Sequence, residues 1–474
     1  MYSRFKQFSG RWAGLTRPRF FWFWITTLLF GTHLLTSAAH PQVYDANGYW
    51  ELTYKLYNGG NFSLYNFDSA LRGYLFPLLH VPVLLLGQAQ PFLSIDTIIK
   101  LIGAALAGAL FGVLLPRLWL TLTGQPVSAG RQLLLVGLTF ALWRDYFHYT
   151  LTDFPVLAGE VAVLLLLLQR LTPGRVLLAG LLSAALINVR PVYLVVVPVL
   201  GLLLLWVSTA GLRQWRWQTG QWGLLFALGF ALVTLPQWLI NQHNFNSSRP
   251  LVIGIDLNDP VMSAKGDLYL QKLSEGLQYQ KYETTIGDDY AKPQVLYRDP
   301  VGVALLAADF NHEIESYGEY LTLAAAHPLD LATLYLRHLF NGLDVLYSTP
   351  YLRHVYRSSV GLAWLNYTML FAALAVVLRH LQRLRALHWL LVVALLAPVA
   401  LSVPLSVECR YVLPLHLMLV TVACFGWPGA WTWTGLAGRR LTMTILYAAF
   451  VLVCFTLSSS TQILLDLSPK LLNP

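Results

Sequence analysis

Charge is the scarcest commodity in this chain. Only 12% of residues are Asp, Glu, Lys or Arg, against about 25% in soluble domains. That shortage, with 56% hydrophobic residues, excludes an ordinary water-soluble enzyme. Cysteine is nearly absent too. The three present, Cys409, Cys424 and Cys454, supply neither a disulfide framework nor a metal-ligand spacing. Cys424 and Cys454 fall within apolar helices and read as small core residues. HExxH, CxxC and Walker patterns are missing, so zinc proteolysis and nucleotide hydrolysis find no support. Acidic residues are few and unevenly placed: 13 of the 23 lie between Asp256 and Asp330.

What fills the chain instead is a series of long apolar runs. The first, 20–39, is long enough to cross a hydrocarbon core of roughly 30 Å. Ser37-Ala38-Ala39 resembles a signal-peptide cleavage site, but the run is too long for a typical h-region. The formal net charge of +9 does not point to nucleic acid, because the basic residues sit in short loops between apolar runs, the positive-inside pattern.

Arg4, Lys6, Arg11, Arg17 and Arg19 should keep the N-terminus cytoplasmic. The later basic clusters are Arg117 to Arg131, Arg170 with Arg175, Arg213 with Arg216, Arg379 to Arg385, and Arg439 with Arg440. If all five are cytoplasmic, about eleven crossings result: 20–39, 95–115, 131–147, 153–171, 175–189, 191–208, 221–240, 358–378, 387–405, 411–428 and 441–460. The expected fold is an all-α polytopic membrane protein with juxtamembrane helices at the outer face. Its parts are a transmembrane module 1–240 with a first outer loop 40–94, a large extracytoplasmic loop 241–357, and C-terminal transmembrane helices 358–474. The apolar stretch Tyr74 to Gly87 reads as juxtamembrane or re-entrant, with Pro77 and Pro82 disfavouring a regular helix. The alternative is that it spans and that a segment near 175–208 is re-entrant.

In the large loop, Asn258-Asp259-Pro260 carries turn chemistry, Val301 to Ala325 reads as helical, and His327 to Tyr347 could lie along the interface. The 16 tryptophans read mostly as interfacial belt, including Trp22, Trp24, Trp427, Trp431 and Trp433.

With this topology the outer face collects the polar residues worth weighing. Asp45 leads the stretch Tyr44-Asp45-Ala46-Asn47-Gly48-Tyr49, which runs on to Asn58-Gly59-Gly60 and Arg72-Gly73-Tyr74-Leu75-Phe76-Pro77. Thr152-Asp153-Phe154-Pro155 is a second acidic outer turn, and Glu408-Cys409-Arg410-Tyr411-Val412-Leu413-Pro414 closes the series. Together, in this order and on one side, these stretches resemble the polytopic GT-C glycosyltransferases, particularly those of the dolichyl-phosphate-mannose mannosyltransferase kind. Those enzymes usually carry an adjacent acidic pair; here Ala46 follows Asp45 and the next acid is Glu51.

The resemblance implies sugar transfer from a polyprenyl-phosphate-linked donor to a glycan, lipid or protein acceptor, at the extracytoplasmic face of an inner or plasma membrane. Asp45 would be the general base of an inverting displacement, and Asp153 a second site acid. Simple helix capping is the competing reading for both. Arg72, Arg190 and Arg410 are candidates for the donor phosphate, a role suited to arginine's fork; a local pair with Glu408 is the alternative for Arg410. Tyr49, Trp50 and Tyr411 could stack on a sugar, and Glu408 belongs to the same constellation. Glu160, seven residues past Asp153, lies near the same helix face and needs a partner or a cavity. Asp145, His148, Lys100 and Arg144 read first as interfacial residues. Hard cations accept carboxylate oxygens, so an ion between Asp45 and Asp153 is an option, but metal independence is the favoured reading and no cofactor is expected.

Two rival functions fit a polytopic chain. An O-antigen ligase or polymerase would place key Arg and His in the large loop, which here is acidic. A lipid-linked sugar flippase or transporter would carry charges along a central path and show inverted repeats.

Overall fold

The computed structural model describes residues 16–40, 42–90, 94–209, 217–255, 268–309, 314–356, 360–426 and 437–467. Arg4, Lys6, Arg11, the Arg213 and Arg216 cluster, the Asn258-Asp259-Pro260 turn, and Trp427, Trp431 and Trp433 lie outside the described residues.

The apolar runs are helices. α1 (Thr16–Thr36) is followed by the short α2 (Asp45–Tyr57) and by α3 (Leu75–Ala89). α4 (Ile95–Thr123) contains a π-helical segment at Gly108–Leu114. α5 (Ala129–Trp143), α6 (Asp153–Leu168), α7 (Pro173–Val189), α8 (Val196–Ser208) and α9 (Trp217–Phe245) complete the first half. After the large loop come α14 (Val360–His380), α15 (Ala386–Ser402), α16 (Leu413–Gly426) and α17 (Ala437–Leu467).

Among the described residues, six helices are long and apolar enough to cross a membrane, and the helix pair Ala129–His148 and Asp153–Leu168, bent by 120°, adds a candidate seventh. That is fewer than the eleven crossings expected. The reason is length: the 17 residues of α7 rise only about 25 Å at 1.5 Å each, short of a roughly 30 Å core. α3 is also a correction. Its prolines do not prevent a regular helix, because Pro77 occupies the first turn, where no N–H partner is needed, and Pro82 removes only one internal bond.

Small residues and a few amides hold the bundle. Gly180 of α7 and Gly229 of α9 lie against backbone carbonyls of the opposite helix, Phe226 and Leu177, where a Cβ would clash. Such contacts let two apolar helices approach closely where hydrophobicity gives no preference between helix and lipid. Asn188 donates to Gln237 at 2.9 Å and accepts from the Leu75 amide at 2.8 Å, tying the ends of α7, α9 and α3 together. Buried amides of this kind persist because each finds its partner.

The loop between α9 and α14 is not purely helical. It folds as α10 (Leu268–Gln278), β1 (Tyr279–Thr285), β2 (Gln294–Arg298), α11 (Pro300–Asp309), α12 (Tyr317–Ala326), α13 (Pro328–Leu343) and β3 (Tyr351–Leu352). The strands form a small sheet in the order β2-β1-β3, with β1 antiparallel to β2 and parallel to β3. The all-α expectation is corrected to this extent. β1 is nearly fully buried despite its polar sequence Tyr-Gln-Lys-Tyr-Glu-Thr-Thr, and it satisfies its charges internally: Lys281 Nζ stands 3.2 Å from Glu283 Oε1. The expected helix Val301 to Ala325 is two helices, α11 and α12. α13, within the stretch His327 to Tyr347, buries Leu331, Leu334 and His338.

Candidate functional site

Asp45 is the first residue of α2, and the residue before it is strained. Tyr44 holds φ 45°, a left-handed conformation rare for a side chain of this size. Its hydroxyl donates to the Thr285 carbonyl at 2.7 Å, anchoring the helix start to β1. The Asp45 side chain is not spent on capping the helix. Its two oxygens go instead to two different arginines.

Arg72 comes from the segment that leads into α3. Its Nη2 donates to Asp45 Oδ1 at 3.1 Å and its Nη1 to the Asp45 carbonyl at 3.2 Å. The same guanidinium lies 4.4 Å from the centre of the Tyr49 ring, a cation–π arrangement. Arg410 comes from the turn Cys409–Val412 ahead of α16. Its Nη2 donates to Asp45 Oδ2 at 2.9 Å, while Nε and Nη2 reach the two Glu408 oxygens at 2.5 and 3.0 Å. The local pair with Glu408 is therefore present, and Arg410 adds a long-range contact to Asp45 that the sequence did not announce.

Beside this group, Arg190 after α7 pairs with Asp153 at the start of α6. Asp153, too, is turned to an arginine rather than to its own helix. The Tyr411 ring lies between the two arginines, 5.5 Å from the Arg190 guanidinium and 5.6 Å from that of Arg410. Its hydroxyl donates to Glu408 Oε1 at 3.3 Å and shares a hydrogen bond with Tyr282 of β1. Three carboxylates (Asp45, Asp153, Glu408) thus meet three guanidinium groups (Arg72, Arg190, Arg410), and their formal charges cancel.

A narrow cleft opens on one side. Asp153, Arg190, Arg410 and Tyr411 form its polar wall, and Val192, Pro398, Leu413 and Pro414 its apolar one. As it stands it is too narrow for a sugar ring. Asp45 does not line it and joins it through Arg410. The Asp45 side chain keeps 43% of its surface exposed, so it is reachable from solvent. Burial pushes its carboxyl up, but Arg410 and then Arg72 outweigh that and hold it below the ordinary 3.8. In this state Asp45 is an ionised, fully engaged acceptor.

Other sequence candidates lie elsewhere. Glu160 is fully buried, and neither of its carboxylate oxygens has a hydrogen-bond partner among the described residues. It does not enter the charged group. Lys100 donates to the Ser37 carbonyl and Arg144 to the Ala141 carbonyl. Trp50 is buried, with its indole N–H on Thr150, and presents no face to a sugar. Asp145 and His148 belong to a separate group with His33. The residue that sequence reasoning missed is Tyr282, which arrives from the large loop.

No family model, no curated protein and no solved structure matches this chain.

Proposed function

We propose that this chain is a GT-C-type glycosyltransferase that moves a sugar from a polyprenyl-phosphate-linked donor to an envelope acceptor, with inversion and with Asp45 as general base. The observation that carries the reading is the convergence of Arg72, Arg190 and Arg410 on three carboxylates beside a half-apolar cleft. Guanidinium forks match phosphate oxygens, and an apolar wall suits a prenyl chain. The N-terminus would be cytoplasmic and the site extracytoplasmic.

Resting Asp45 is a poor base, because two arginines stabilise its charged form. A donor phosphate competes for the same arginines. When Arg410 turns to the phosphate, Asp45 loses a counter-charge and its proton affinity rises towards the range useful for catalysis. The acceptor hydroxyl then attacks the anomeric carbon and passes its proton to Asp45. The bond from that carbon to the phosphate oxygen breaks on the opposite face, and the phosphate leaves with its electron pair held by arginine. Widening of the cleft accompanies this exchange, since the paired side chains are what narrow it.

Mass spectrometry of envelope glycans from a gene-deletion strain tests the proposal. A glycan lacking one sugar, restored by the wild-type chain and not by Asp45→Asn, is the expected result. Full restoration by Asp45→Asn would overturn the assignment of the base, and unchanged glycans in the deletion strain would overturn the function.

A further inference from the structure

Apart from the arginine–carboxylate group, three side chains converge on a single point. His33 lies in the last turn of α1, and Asp145 and His148 lie in the 3-10 turn Arg144–His148. His33 Nε2 is 2.6 Å from Asp145 Oδ1, and His148 Nε2 is 3.5 Å from the same oxygen. One donor atom from each residue falls within 4.8 Å of the other two.

His148 is what demands explanation. Its side chain is 1% exposed, and neither ring nitrogen has a hydrogen-bond partner among the described residues. A buried imidazole whose only polar approach is 3.5 Å from Asp145 Oδ1 is costly, and buried polar groups in folded proteins are overwhelmingly satisfied. The Asp145 carboxylate, by contrast, is held in place. Its Oδ2 accepts from Ser348 Oγ at 2.6 Å, and its amide donates to the Ser348 carbonyl at 3.1 Å.

We propose that His33, Asp145 and His148 bind a divalent transition-metal ion of the zinc class. Two imidazoles and one carboxylate are a donor set that zinc accepts, with a fourth position left for water. Donors about 2.0–2.1 Å from a tetrahedral ion stand about 3.3–3.5 Å apart. The His148–Asp145 separation of 3.5 Å already meets that spacing. The 2.6 Å His33–Asp145 hydrogen bond opens by less than about 1 Å to admit the ion. Ser348 supplies the outer hydrogen bond that orients the carboxylate, a recurring companion of metal ligands. Arg144 Nε lies 3.8 Å from Asp145 Oδ2, on the oxygen turned away from the histidines. His33 and Asp145 keep 29% and 23% of their side-chain surface, which gives the ion a way in. Bound there, it would brace the end of α1 against the turn before α6 and the segment after α13.

The test uses the full chain purified in detergent, stripped with a chelator and titrated with Zn2+. Elemental analysis should find about one zinc ion per chain. His148→Ala and Asp145→Asn should weaken uptake by about 100-fold or more, while His354→Ala, at an exposed histidine, keeps it. If the ligand variants fail to fold, Co2+ added to the wild-type chain should give the intense visible bands of a four-coordinate site. No zinc retained by the wild type, no such bands, or equal uptake by the His33→Ala/His148→Ala double variant would overturn the site and leave His33–Asp145 a simple hydrogen-bonded pair.

Discussion

Arg410 Nη2 meets Asp45 Oδ2 at 2.9 Å although 365 positions separate them in the chain. The other Asp45 oxygen belongs to Arg72. A carboxylate shared between cations from opposite ends of the chain is the organising contact of the proposed active site.

Asp45→Asn keeps the shape and loses the base. Its turnover should fall by about 100- to 10,000-fold, the range general-base catalysis supplies. Arg410→Lys should cut turnover by about 10-fold or more, because one ammonium cannot span Glu408 and Asp45 together. Initial rates with a synthetic polyprenyl-phosphate sugar check both. Wild-type rates in Arg410→Lys would show that the guanidinium fork is not required.

Acid should weaken the Asp45 contacts. The Asp45 carboxyl is held below its ordinary 3.8 in the folded chain, so its contribution to stability is full above that value and is lost as pH falls through the folded one. Thermal unfolding of wild type and Asp45→Asn in detergent should differ by a constant amount from about pH 7 to about pH 5, and the wild type's relative advantage should shrink below about pH 4. A difference that stays flat to lower pH would contradict the pairing.

Gly48→Ala separates stability from activity. A Cβ at Gly48 would fall on the Arg72 guanidinium, the movable end of a long side chain. Alanine also favours helix over glycine by about 1 kcal/mol. The variant should therefore melt no lower than wild type, yet lose about 10-fold in turnover as Arg72 is pushed off Asp45. Parallel losses in both would mean that the backbone, not Arg72, had moved.

Asp153→Asn should cost about 3–5 kcal/mol, because it leaves Arg190 without its counter-charge in a largely buried position. Asp153 is 3% and Arg190 21% exposed at the side chain. Adding Arg190→Gln should restore much of the stability but not turnover. Chemical unfolding and the transfer assay read the two effects apart.

Asp45, Arg72, Asp153 and Arg410 were legible in the sequence because ionisable residues are rare here and these lie at the ends of apolar runs. Their capping alternatives failed on local geometry: Asp45 gives its two oxygens to Arg72 and Arg410, and Asp153 spends its oxygen on Arg190. Glu160 was misjudged by helix periodicity alone. Seven residues return it to the same face as Asp153 but set it about 10 Å further along the axis, fully buried and outside the charged group. The eleven expected spans fall on helices, while among the described residues six of those helices have the full length and apolarity. Tyr282 could not be found from β1, whose sequence is polar at nearly every position and shows no alternation. Its burial depends on α13 and the Cys409–Val412 turn, which no local pattern announces. His33 was hidden differently, as the one histidine of a largely apolar helix, with Asp145 112 positions away.

The distance between Asp45 and Arg410 also orders events during synthesis. Arg72 leaves the ribosome soon after Asp45, so their contact can form while most of the protein is unmade. Arg410 arrives only once nearly all the helices have been inserted. A half-built chain would hold a carboxylate with one cation and no Glu408, so the proposed active site would stay incomplete until assembly is almost finished.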